Sequence, residues 1–83
     1  MKYLVMTMRR PDFDGAVVPA HWEFLDELRV RGILEQAGGF TDKSGGAYVI
    51  GAADLAAARE IAHRDPLHLK GCSDVTVREW DAR

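Results

Sequence analysis

The sequence predicts an α+β protein of the ferredoxin-like βαββαβ type, a four-stranded antiparallel sheet with two helices on one face. Three observations predict it. Segments of strand character and of helical period follow one another as strand, helix, strand, strand, helix, strand. Glycines and prolines fall between the segments, where turns are needed. Right-handed crossovers then leave this as the simplest arrangement for so short a chain.

The run KYLVMTM (2–8) is β-branched, aromatic and apolar almost throughout, and reads as a central strand buried on both faces. RRPDFDGAVVP (9–19) carries Pro11, Gly15 and Pro19 and reads as a loop. Pro19 suits the first helical position. In AHWEFLDELRVRG, His21, Phe24, Leu25 and Leu28 recur on one helix face, and Gly32 supplies the stop. ILEQAGG (33–39) and GAYVIGA (46–52) read as the second and third strands, with GGFTDKSGG as the hairpin loop between them. Asp54 is the N-cap expected for LAAAREIAHR. Leu55, Ala58, Ile61, Ala62 and Asp65 form the inner stripe of that helix, and Pro66 pushes Asp65 out of helical geometry. DVTVREW (74–80) reads as the last strand. The first and last strands are expected to be apolar on both faces. The helix-free face then needs a cover, and a second copy of the chain is the simplest one.

Residues 1–83 make a single domain. One cysteine, Cys72, excludes an intrachain disulfide and gives no sign of an oxidising compartment. The opening MKYLVMTMRR is too short an apolar run for a signal peptide or a membrane span, so a soluble cytoplasmic protein is expected. The net charge is −2 with interspersed signs and no basic stripe, which argues against nucleic acid as a partner.

Strand and helix directions gather the chemistry at one end of the sheet. That end collects Arg9 and Arg10, His21, the glycine hairpin from Gly38 to Gly46, and Asp65 to Ser73. His21 opens one helix and Asp65 closes the antiparallel neighbour, both on inward stripes, so the two can meet. A carboxylate on one imidazole nitrogen fixes the tautomer and makes the other nitrogen the better base. On spacing alone, a packing tie between the same two residues is the commoner reading.

These residues also carry a resemblance. MKYLV, AHWEFLDELRVRGILEQAGG and AAAREIAHRDPLHLKGCSDVTVREW together resemble the YCII-related (YciI-like) family of small dimeric α+β-barrel proteins, over nearly the whole chain. The resemblance implies a ferredoxin-like protomer, a homodimer with sheets face to face, and an active site of one His and one Asp, roles that fall on His21 and Asp65. The chain departs from the family pattern at two places. Gly39 stands where a Pro commonly follows the Ala-Gly of strand two, and Leu67 stands where an aromatic often follows the Asp-Pro. Both touch the expected pocket wall, so a substrate type does not carry over.

Around this pair, Arg9 and Arg10 suit an anion, since guanidinium forks fit carboxylates, although two solvated arginines at a loop start fit as well. Phe40 and Phe13 sit in loops where they could wall a pocket. His68 follows Pro66 near the same place and is either a pocket residue or a surface one. His63 falls on the outer helix face with Arg59 and Glu60. His63, His68 and Cys72 are spaced H-x4-H-x3-C, which matches no usual zinc pattern and lacks a fourth ligand, so no metal is expected. The glycine hairpin lacks the following helix that phosphate loops require. No nucleophile stands beside His21 in sequence. The expected function is therefore cofactor-independent proton transfer, of lyase or isomerase kind, on a small anionic or aromatic molecule. A non-catalytic ligand-binding or protein-interaction module of the same dimeric fold is the alternative.

Overall fold

The computed structural model describes all residues, Met1–Arg83. Its elements are β1 (Lys2–Arg9), α1 (Val18–Val30), β2 (Leu34–Gly39), β3 (Gly45–Gly51), α2 (Leu55–Ala62), the single turn α3 (Pro66–Leu69) and β4 (Ser73–Trp80). The strands form one antiparallel sheet in the order β2-β3-β1-β4. This is the ferredoxin-like architecture that the sequence predicts. No helix is long and apolar enough to cross a membrane.

Strand alternation sorts β1 into two faces. Tyr3, Val5 and Thr7 are buried under the helices, whereas Leu4, Met6 and Met8 are half-buried on the helix-free face. β3 does the same, with Tyr48 and Ile50 beneath the helices and Ala47 and Val49 outside. Leu25 and Leu28 of α1 and Ala58 and Ala62 of α2 close the core over these residues. The two alanines let α2 sit close to the sheet.

The last strand corrects the expectation of two apolar faces. On β4 only Val75 and Val77 pack against the core. Their alternates Asp74, Thr76 and Arg78 are exposed, and Trp80 is the one large apolar side chain among them. The apolar part of the helix-free face is thus the central strip of β1 and β3. An edge strand bearing charges resists unwanted pairing, which accounts for the polar choice on β4.

The segment after Pro66 is also more ordered than a loop. Asp65 leaves the helical region (φ −60°, ψ 130°) and caps α3, accepting from the Leu67 N–H, while Pro66 takes the first helical turn. The glycines assigned to the hairpin loop instead lie inside the strands, and the loop proper is Phe40–Ser44. It closes through Phe40 N–H to the Gly45 carbonyl, with Lys43 left-handed at φ 63°. Gly45 (φ 157°) and Gly46 are needed because backbone crowds them. A Cβ at Gly45 would run into the Thr7 carbonyl and Met8 Cα, and one at Gly46 would come within 2.6 Å of the Gly38 carbonyl oxygen.

Candidate active site

Three elements converge on one carboxylate. Asp65 is fully buried between α2 and α3. His21, one turn into α1, places Nδ1 at 2.9 Å and 3.0 Å from the two oxygens of Asp65. The Tyr48 hydroxyl on β3 donates to Oδ2 at 3.0 Å, and the Leu67 N–H donates to Oδ1 at 2.9 Å. A carboxylate here only accepts, so Nδ1 carries the hydrogen and Nε2 of a neutral ring keeps its lone pair. Nε2 has no hydrogen-bond partner in the protein and is not a sealed-in atom, and His21 lines an open cavity. The imidazole is held between Trp22 and Tyr48, with ring centroids 5.5 Å and 6.2 Å away.

The cavity has a volume of about 120 Å³. An apolar cavity of roughly 150 Å³ takes up benzene, so this one suits a ligand of about one ring or smaller. Its helix side is Val18, His21, Trp22 and Leu25, and its sheet side is largely backbone, at Gly38, Gly39, Gly45 and Gly46. Phe13, Leu67 and Ser73 close the remaining edge. Both positions that depart from the resembled family's pattern, Gly39 and Leu67, are thus cavity wall.

The expected site residues separate here. Arg9 lines the cavity with its guanidinium 4.3 Å above the Phe13 ring. Arg10 does not; it is exposed and faces Asp74 at 3.8 Å. Phe40 is exposed at the hairpin loop, away from the cavity, because the loop turns after β2 rather than folding back. His68 also lies outside it. The turn of α3 swings its ring out to stack on His63, with centroids 4.3 Å apart. Arg10, Phe40 and His68 therefore do not join His21.

Tyr48 and Ser73 carry parts of the site that no local pattern announced. Burial, and after it the Asp65 charge and hydrogen bond, push the Tyr48 phenol far above its ordinary value. The phenol is therefore a permanent donor. A raised folded-state value means the protonated form stabilises the fold, fully below about pH 10, where the unfolded phenol titrates, and progressively less above it. Tyr48→Phe should cost about 2 kcal/mol at pH 8 through the lost bond to a charged acceptor. The gap to wild type should narrow at pH 11, and urea denaturation at the two pH values measures it. An equal gap at both would show that the phenol does not titrate in this way.

Known proteins resemble this chain in sequence and in fold. The YCII-related domain pattern matches residues 1–81. The uncharacterized protein YjpA of Bacillus subtilis (strain 168) is 47% identical over 78 residues, which cover 94% of this chain and 92% of that protein. Among solved structures, the 5-chloro-2-hydroxyhydroquinone dehydrochlorinase TftG of Burkholderia phenoliruptrix AC1100, in complex with 2,5-dihydroxybenzoquinone, is similar with a TM-score of 0.74. It is 20% identical, over 98% of this chain and 94% of its own. Muconolactone isomerase is similar with a TM-score of 0.74 at 17% identity, over 100% of this chain and 91% of its own. These distant structures share the fold. With the pattern matched almost end to end and a full-length relative at 47% identity, the chain belongs to the YCII-related domain family.

Proposed function

We propose that the protein is a cofactor-independent enzyme of the lyase or isomerase kind, cytoplasmic and homodimeric. In this reading, Nε2 of His21 takes a proton from a carbon or hydroxyl of a small organic substrate and returns it at another atom or to solvent. Asp65 holds the ring in the tautomer that frees Nε2 and stabilises the imidazolium formed in the step. The observation that carries this reading is the pairing of a fully buried carboxylate with Nδ1, while Nε2 has no protein partner and His21 lines a ring-sized cavity. Similarity of fold to a dehydrochlorinase and an isomerase supports the reaction kind.

A second reading, a non-catalytic binding module, is favoured by one observation: Asp65 also serves Tyr48 and Leu67, as a structural tie would. Solvent exchange separates the two. Ring-sized ketones, lactones and hydroxyquinones incubated with protein in D2O should gain deuterium at an acidic C–H, followed by NMR. His21→Gln should slow that exchange by about a hundredfold or more. Exchange that is independent of His21, or no exchange above buffer across the panel, would leave the binding module.

A further inference from the structure

Arg9 is the only permanently charged side chain lining the cavity, and no carboxylate lines it. Its guanidinium has no ion-pair partner and no side-chain hydrogen bond in the protein, and it is held over Phe13. Directly across the β1–β4 ladder stands Ser73, the residue in register with Arg9. Cross-strand partners project to the same face, so the two side chains are neighbours at the cavity edge. Ser73 is buried, and its Oγ is the one buried side-chain oxygen or nitrogen in the molecule without a hydrogen-bond partner. A buried hydroxyl without a partner is costly, and its neighbour is a cation without an acid. The remaining hydroxyls on the wall are committed, Thr7 to the Gly46 carbonyl and Tyr48 to Asp65.

We propose that Arg9 and Ser73 form a carboxylate-binding subsite, so that the molecule accepted in the cavity is a small organic acid of about one ring or less. The guanidinium supplies a planar pair of donors and charge, the Ser73 hydroxyl a further donor from the strand beside it. Asp65 makes no contact with the anion, because it stays behind His21 and does not line the cavity. The subsite deepens the proton-transfer reading by naming the substrate class, and it rests on that reading only for the reacting end of the molecule.

Benzoate and propionate are suitable probes, with benzamide and propionamide as neutral counterparts, titrated at low salt and followed by amide chemical shifts. At least one acid should bind about tenfold or more tightly than its amide, as expected for losing a charge-assisted hydrogen bond. Arg9→Gln should erase that preference. Ser73→Ala should weaken acid binding several-fold. It should also leave the melting temperature of the free protein unchanged or raised, because the hydroxyl makes no bond to lose. A hydroxyl with a merely structural role would instead lower it. Equal binding of acids and amides, no binding by either acid, or an unchanged preference in Arg9→Gln would overturn the subsite. His21→Gln should keep the preference. Acid selectivity without His21-dependent exchange would thus defeat the base and spare the subsite, and His21-dependent exchange without acid selectivity would do the reverse.

Discussion

Asp65→Ala should be the most damaging single truncation at the site, lowering stability by about 3–5 kcal/mol. The substitution strips a common acceptor from His21 Nδ1–H, the Tyr48 hydroxyl and the Leu67 N–H at once. Tyr48 and Leu67 are themselves buried, so water does not readily replace what is lost. Typical domains hold only 5–15 kcal/mol in reserve, and in a chain of this size the melting temperature should fall by roughly 15 °C or more. Asp65→Asn keeps the shape and one acceptor oxygen and should cost less. Asp74→Ala, at an exposed site on β4, should cost almost nothing. Thermal unfolding followed by circular dichroism tests the series. A loss below about 1 kcal/mol for Asp65→Ala would mean that the three donors find other partners.

Met6→Glu should convert the proposed dimer into monomers, raising its dissociation constant by about a thousandfold or more. Met6 lies at the middle of β1 on the helix-free face, between Ala47 and Thr76 in the ladder. Leu4, Met8 and Val49 extend the same strip. A two-fold contact across this strip repeats each residue, so one substitution sets two carboxylates into the same apolar seam. Glu at Thr76, toward the polar β4 edge, should do less. Sedimentation equilibrium over micromolar concentrations is the measurement. A wild-type protein that stays monomeric would remove the face-to-face pairing altogether, and a Met6→Glu protein that stays dimeric would move the contact elsewhere.

The parts legible in the sequence are those that local chemistry writes directly. β1 is an almost continuous apolar run, α2 has an aspartate cap and an alanine-rich inner stripe, and Gly32 (φ 75°) ends α1 as a left-handed stop. Asp65 reads as a site residue because it closes the inner stripe of its helix at the loop-rich end, and the proline after it sets its backbone as extended. His21 could be set against it because helix direction and inward stripes are both readable. Other parts depend on register, which no local signal carries. Tyr48 reads as an ordinary strand aromatic until its hydroxyl meets a carboxylate from another element. Ser73 reads as a turn serine until the ladder sets it beside Arg9. His68 was unreadable because a one-turn helix is too short to show a period, and its turn alone decides which way the ring points. The hairpin glycines read as loop from their composition, although at Gly45 and Gly46 it is close backbone approach within the sheet that requires glycine.

The glycine wall also determines how the pocket can change over generations or in the laboratory. A wall made of main chain has no side chain to trim, so no substitution there can make room for a bulkier molecule. Gly45 and Gly46 cannot even grow, since a methyl group meets backbone at both, whereas at Gly39 the nearest atom to an added Cβ is the Gly45 carbonyl oxygen at 3.8 Å. Diversification must therefore come from the opposite side, where Trp22, Leu25 and Leu67 can each be shortened or reshaped. A library confined to Phe13, Trp22, Leu25, Gly39 and Leu67 would sample most of the accessible pocket shapes while leaving His21 and Asp65 untouched.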